Sequence, residues 1–431
     1  MARDWKKTKL GAEVDFLTGF PFKSENYTDD SDSIRLVRGD NIVQGALRWD
    51  GVKRWPSSDC SDYDLYRLRE GDVVLAMDRP WIAAGLKYAR ISKFDIPSLL
   101  VQRTARLRGG PNLDTGYLRY VIGSLEFTQH IQAVATGSIV PHISGNQIKD
   151  FDITLPPLAE QKTISGVLSA LDAKIELNHR INAELEGLAK LLYDYWFVQF
   201  EFPLTAAHAA AIGKPKHTGH PYLSSGGPMV HDPQLKRKIP KGWKLTAIAD
   251  LVPIGKDTIN PSANPEKLFK LFSIPGFDQT GTHRQEPGSA IGSNKFTVVG
   301  TDLLVSKLNP WTNRVIYPAD EPDMVCSTEF VVMRPRELWM KNFLYMLATD
   351  PSFVAFCSQS ATGTSNSHKR VNPSVMTSYG IPYSADVART FGETVHPMLS
   401  QRLVLQQQCQ ELTALRDWLL PMLMNGQVRV G

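Results

Sequence analysis

Residues 164–196 read ISGVLSALDAKIELNHRINAELEGLAKLLYDYW. Stepping through them alternately by four and three selects Ile164, Leu168, Leu171, Ile175, Asn178, Asn182, Leu185, Ala189, Leu192 and Trp196. Eight of these ten positions are apolar and the central two are amides, which is a heptad seam with a polar middle. At 1.5 Å per residue such a helix runs about 50 Å, well beyond an average globular helix. Residues 391–423, FGETVHPMLSQRLVLQQQCQELTALRDWLLPML, repeat the pattern 227 positions on. The matching set is Phe391, Val395, Met398, Arg402, Leu405, Cys409, Leu412, Arg416, Leu419 and Leu423, again with eight apolar members. Two ordinary amphipathic core helices are the plainer reading. Two matched seams of this length predict that the helices pair with each other. Antiparallel pairing brings positions 180 and 407 together, with Asn178 opposite Cys409 and Asn182 opposite Leu405.

Outward from the helices, the rest of the chain also repeats. Trp5-Lys6-Lys7-Thr8-Lys9-Leu10 resembles Trp243-Lys244-Leu245-Thr246-Ala247-Ile248. Asp72-Val73-Val74-Leu75, running to Pro80-Trp81, resembles Asp302-Leu303-Leu304-Val305, running to Pro310-Trp311, at an offset of 230. Arg108 and Arg334 each close a strand-like run, 226 apart. Ala135-Thr136-Gly137-Ser138, His142, Asn146 and Leu155-Pro156 meet Ala361-Thr362-Gly363-Thr364, His368, Asn372 and Ile381-Pro382, also at 226. Their common order marks two copies of one unit of roughly 200 residues. The copies carry short β-rich runs, Gly/Pro/Asn punctuation and helical stretches at 118–131 and 339–348, so each is read as an α+β domain with a mixed, twisted sheet. The boundaries expected are a first domain at 1–155, a first long helix at 156–200, a linker at 201–242, a second domain at 243–385 and a second long helix with tail at 386–431. The linker has six Pro and five Gly in 42 positions and four of the ten His, which are read as solvated residues and not metal ligands.

Composition narrows the class. The chain has 431 residues, 42% hydrophobic and 21% charged, enough to bury real cores. No uninterrupted apolar run reaches about 18 residues, and MARDWKKTKLGAEVDF has no apolar signal core. No membrane partner is expected, and a cytoplasmic location is. Cys60, Cys326, Cys357 and Cys409 form neither a CxxC pair nor a zinc spacing. The net charge of +4 permits nucleic-acid binding without demanding it. Catalytic fingerprints are missing: GxGxxG, Walker A, GxSxG and HExxH do not occur, and Asn309-Pro310-Trp311 lacks the second Pro of an amino-methyltransferase motif. No catalytic residue, metal site or cofactor is assigned to this chain.

The matched loops offer hydroxyls, Gly and basic groups, suited to phosphate and base-edge contacts, though a surface turn would use the same residues. Candidates in the first copy are Arg35, Arg38, Arg79, Trp81, Lys87, Thr136, Gly137, Ser138 and His142. Those in the second are Lys307, Asn309, Trp311, Asn313, Arg314, Thr364, Asn366, His368, Lys369 and Arg370. The two Trp fit equally a hydrophobic turn anchor ringed by solvated charges. The helix-pairing candidates are Ile164, Leu168, Leu171, Ile175, Asn178, Asn182, Leu185, Leu192, Leu405, Cys409, Leu412 and Leu419.

Several of these stretches together resemble a known family. Ala135-Thr136-Gly137-Ser138, Leu155-Pro156-Pro157-Leu158-Ala159-Glu160-Gln161, Leu177-Asn178-His179-Arg180-Ile181-Asn182-Ala183-Glu184-Leu185 and Tyr195-Trp196-Phe197-Val198-Gln199-Phe200 resemble the first half of the specificity (S) subunits of type I restriction–modification enzymes. Leu415-Arg416-Asp417-Trp418-Leu419-Leu420-Pro421 with Asn425-Gly426 is similar to that family's closing segment, and Ile239-Pro240-Lys241-Gly242-Trp243 to its lead-in to the second domain. Ile381-Pro382-Tyr383-Ser384 departs from the first copy, which has Leu155-Pro156-Pro157-Leu158. The resemblance implies two α/β target recognition domains joined by two long antiparallel coiled-coil helices in a pseudo-two-fold repeat. It implies that each domain reads half of a bipartite, asymmetric site in double-stranded DNA. The helices would set the gap and dock two modification subunits, adenine methyltransferases carrying S-adenosylmethionine, and two restriction subunits using ATP and Mg would join. The residues by themselves leave open a scaffold that presents two binding domains to something other than DNA.

Overall fold

The computed structural model describes residues 5–59, 61–82, 84–137, 141–363 and 368–429. It divides into two units, one of residues 1–177 with 409–431 and one of residues 178–408. Each unit holds an α/β body and a stretch of both long helices. The helices span Leu158–Tyr193, followed by a π-turn at Asp194–Val198, and Ala385–Met424.

In the first unit the strand Lys6–Lys9 pairs antiparallel with Asp152–Leu155, tying the start of the body to the residues that lead into the first long helix. Between them lies a sheet in the order Val14–Thr18, Thr104–Gly109, Val73–Ala76, Tyr88–Arg90, Gln44–Gly45. A second sheet runs Ser98–Leu100, Ile34–Val37, Arg54–Trp55, its first pair parallel and its second antiparallel. Val73, Val74, Leu75 and Ala76 are all buried, because this central strand is covered on both faces. The helices Thr115–Ile122 and Leu125–Val134 occupy the stretch expected to be helical at 118–131. They are separated because Ser124 caps the second one, accepting from Phe127 N.

The second unit repeats this order. Lys244–Ala247 pairs with Gly380–Tyr383, and the main sheet runs Ile254–Gly255, Phe330–Met333, Leu303–Ser306, Val315–Ile316. In its other sheet Met324–Cys326, Leu268–Phe272 and Arg284–Pro287 again make a parallel and then an antiparallel pair. The duplication read from scattered residues is therefore a duplication of topology.

One ion pair is repeated with it. Asp72 is buried and takes Arg108 Nε and Nη2 on its two oxygens. Asp302, with no exposed side-chain surface, takes Arg334 Nε at 2.8 Å and Nη2 at 3.0 Å. Each carboxylate also accepts the backbone N–H three residues before it, from Arg69 and from Val299. Buried charges persist only when paired and hydrogen-bonded, which explains why both partners recur.

All ten seam positions of each long helix are buried or half-buried. The helices run antiparallel within each unit. In the first, Arg416 reaches Asp172 at 3.0 Å and the Cys409 thiol lies 3.7 Å from the Ile175 carbonyl. In the second, Arg402 meets Glu186 at 3.4 Å and Asn178 Nδ2 donates to Gln408. The register is the expected one to within a residue, but the Asn178 amide takes Gln408 as its partner where Cys409 had been expected. The two arginines that interrupt the apolar pattern are thus the ones that bind the carboxylates of the other helix.

Segment 201–242 is not a bare connector. It contains a helix at Ala206–Ala211 and a hairpin of Met229–Asp232 with Arg237–Pro240, and it buries Phe202, Leu204, Tyr222 and Ile239 in the core of the second unit. Its histidines divide accordingly: His220 and His231 are exposed, whereas the His208 ring packs edge-on against Phe202 and Tyr222.

Candidate nucleic-acid interface

In both units the matched loop is pinched shut by the same two backbone bonds. Thr136 and His142 exchange N–H···O bonds of 2.9 and 2.7 Å, and Thr362 and Arg370 exchange bonds of 2.9 and 2.8 Å. The structural counterpart of His142 is therefore Arg370; the expected match of His142 with His368 is corrected, because the second loop is two residues longer. The inner turn also recurs. Arg79 N donates to Pro141 O and Asn309 N to Lys369 O, with both residues in left-handed backbone at φ 45° and 48°. A positive φ in a residue with a Cβ is uncommon and marks a turn held by its surroundings. After each comes a buried proline and then an exposed tryptophan, Trp81 at 43% and Trp311 at 45%. An indole left open at the same place in both units is not a core anchor.

The charges at the neck of the loop are exchanged between units. In the first, Asp78 binds His142 Nδ1 at 2.6 Å and Arg103 Nη1 at 2.9 Å. In the second, Glu329 occupies the position of Arg103, the carbonyl of each accepting from the equivalent backbone N–H, of Met77 or Lys307. Glu329 pairs with Arg370 at 2.9 and 3.2 Å.

The first unit also opens a cleft of about 990 Å³ beside its neck, lined by Lys23, Arg38, Arg48, Arg79, Lys87 and Arg103 against only Asp40 and Asp78. An excess of cations in a concave wall focuses positive potential there. Within it Lys87 is half-buried and donates to the Gly39 carbonyl, and burial lowers its pKa. Arg38 lies over the Tyr27 ring. The void beside Pro310 and Arg314 in the second unit is about 10 Å³, room for at most one water.

The remaining expected residues fall into three groups. Thr136, Gly137 and His368 are exposed on the loops, Lys307 and Lys369 are half-buried at the neck, and Asn313 is exposed on the turn after Trp311. Two arginines are taken up by the fold: Arg35 donates to the carbonyls of Phe94 and Ile96 and stacks on Trp49, and Arg314 is held by Asp278 and Thr312. Ser138, Thr364 and Asn366 lie outside the described residues, as does Cys60. Sequence reading missed Lys23, Arg48, Arg103, Asp78 and Glu329. Aligning the two copies at 226 would have exposed the Arg103/Glu329 exchange. No group of three or more potential ligands for a metal occurs among the described residues.

Residues 4–187 match the family model described as the type I restriction modification DNA specificity domain. The chain is similar, in its first part, to type I specificity subunits. It is 37% identical over 178 residues to the EcoAI specificity subunit of Escherichia coli, a match covering 41% of this chain and 29% of that protein. It is 28% identical over 188 residues to the MjaVIII specificity subunit of Methanocaldococcus jannaschii, covering 43% and 44%. These matches span less than half of either relative. A longer match, at 21% identity, covers 73% of this chain and 69% of the MjaIX specificity subunit of the same archaeon. Among solved structures, the S subunit of a type I system from M. genitalium aligns over 97% of this chain and 96% of its own, with TM-score 0.54 and 15% identity, a likeness of fold.

The structure gives physical reasons for the motifs shared with specificity subunits. Gln161 has no exposed surface, and its amide bonds Asp114 N, Asn112 O and Pro156 O. Trp196, Phe197 and Phe200 cluster with Trp243 and Phe391 in the second unit's core. Leu419, Leu420 and Leu423 pack into the core of the first. No described helix is long and apolar enough to cross a membrane.

Proposed function

We propose that this chain is the non-catalytic recognition subunit of a type I restriction–modification complex, with each unit reading one half of a bipartite, asymmetric site in double-stranded DNA. The observation that carries the reading is the neck of the matched loops: one backbone frame, beside one exposed Trp, presents Asp78, His142 and Arg103 in one unit and Glu329 and Arg370 in the other. A common frame with different donors suits two readers of different sequences. The paired helices fit a spacer that sets the unread gap and a dock for two modification subunits. Those subunits, in this reading, bring S-adenosylmethionine and methylate adenine; restriction subunits bring ATP and Mg. The complex acts in the cytoplasm, where it meets its DNA.

Sequencing the methylated sites of a host that carries the complex tests this. One split motif with unlike halves is expected; an undivided motif, or none, overturns the reading. Binding should also weaken steeply with salt, with a log–log slope of about −0.9 for each phosphate contact. Replacing Arg48 or Arg79 in the basic cleft should reduce that slope by about one each. A flat salt response would point instead to a scaffold for another partner.

A further inference from the structure

We propose that Arg370 reads a guanine in the half-site recognised by the second unit, with Glu329 as its positioning residue; this rests on the DNA-specificity reading above. The Glu329 carboxylate takes Nε and Nη2 along one side of the guanidinium. Nη1 has no partner among the described residues, and Nη2 keeps a second N–H. The free end of the fork is therefore the pair of donors that the O6 and N7 atoms of guanine accept together in the major groove. Because the carboxylate sets the plane of the fork beforehand, less rotamer freedom is lost on contact.

The backbone holds Arg370 from both sides. It bridges Thr362 across the loop neck and Leu308 beside the Trp311 turn. Its side chain remains 48% exposed. Arg314, a few residues from the same turn, shows the contrast: Nε and Nη2 lie on Asp278, Nη1 on Thr312, and only 16% of the side chain is exposed. All three of its nitrogens are engaged, so it braces the fold. In the first unit the position of Arg370 carries His142, and the acid lies on Asp78, so this device belongs to one half-site only.

The test is selection of sequences from a randomised duplex library by the full-length chain and its variants. Wild type should return two half-sites. Arg370→Lys keeps the charge and loses the fork, and should lower the preference for one G·C pair in one half-site by about 10- to 100-fold. Glu329→Gln, which removes no volume, should weaken preference at the same base pair by roughly tenfold while leaving the other half-site intact. That intact half-site is the internal control for folding. Should Arg370→Lys fail to fold, Glu329→Gln alone decides. Unchanged base preference in these variants, or an equal loss across all sequences, overturns the assignment, since the second result describes a phosphate contact. A wild-type chain that enriches no sequence at all would instead defeat the DNA-specificity reading itself.

Discussion

Gln161 and Lys341 show what one buried polar side chain can be made to do. Gln161 fills the acceptor and donor needs of three backbone groups where the body of the first unit meets the long helix. Gln161→Leu keeps much of the volume and leaves all three unpaired. A buried unpaired group costs about 1–3 kcal/mol, and of the three only the Pro156 carbonyl bond is fully buried, so a loss of about 1–3 kcal/mol is expected in denaturant unfolding. A loss under 1 kcal/mol would mean that the helix start is held by packing alone. Lys341 is 1% exposed, its ammonium donating to the carbonyls of Gly300 and Pro318 and lying 3.7 Å from the Tyr317 ring centre. Burial pushes its pKa down to about 7 from 10.5. Between those values the unfolded chain binds the proton that the folded chain has released. Stability from this group therefore rises with pH across that window, by up to about 1.4 kcal/mol per unit. Comparing urea midpoints of wild type and Lys341→Met from pH 7 to 10 isolates the effect: the wild type should gain on the variant as pH rises. Parallel curves would show that Lys341 keeps its charge in the folded protein.

At the scale of elements, the long helices carry their own cost at their centre. Asn178 is fully buried and Asn182 half-buried, and the Oδ1 atoms of both have no hydrogen-bond partner among the described residues. A polar pair at a seam sets register at the expense of stability. The double variant Asn178→Leu, Asn182→Leu should therefore raise stability by roughly 1–3 kcal/mol and broaden the set of pairings the helices accept. Calorimetry reads the first effect and disulfide trapping of register the second; a lowered midpoint would mean that water or a bent helix satisfies these oxygens. The helices were legible because a 3.5-residue repeat leaves a periodic mark at every contact. The strand order was legible only as a repeat, since strands of four or five residues are too short for periodicity to arrange. Segment 201–242 was read as a linker because Pro and Gly are punctuation in any context. What folds it is the distant contact of Phe202 and Tyr222 with Trp243 and the core around it, which no local pattern encodes. The neck of the loop was partly legible: Trp81 and Trp311 stood out by repetition. Arg103 and Glu329 did not, because the two copies place opposite charges there.

For the whole molecule, the decisive question is whether one copy of the repeat can complete itself with another. A fragment of residues 1–200 keeps the body of the first unit and the first long helix. It loses Leu419, Leu420 and Leu423, which pack into that unit's core, and Arg416, which pairs with Asp172. It also exposes Tyr193, Trp196, Phe197 and Phe200, which in the full chain lie in the core of the second unit. Burying apolar area is worth about 25 cal/mol per Å², so this stripe will seek cover. A second copy of the fragment offers it at the correct spacing. Leu192 and Trp196 are the repeat counterparts of Leu419 and Leu423, 227 positions earlier, so the end of one copy's helix can occupy the place vacated on the other. Antiparallel self-pairing about residue 180 would set Asn178 against Asn182 of the other copy, and two amides can hydrogen-bond each other. The expected product is an isologous dimer with two first-unit surfaces. Its DNA target should be palindromic, each half being the half read by the first unit of the parent. Light scattering on the purified fragment gives the oligomeric state, and selection from random duplexes gives the symmetry of the site. A folded monomer would show that the seam closes on its own body and that the partner helix is dispensable. A dimer that selects a non-palindromic site would show that the first unit does not read its half independently of the second.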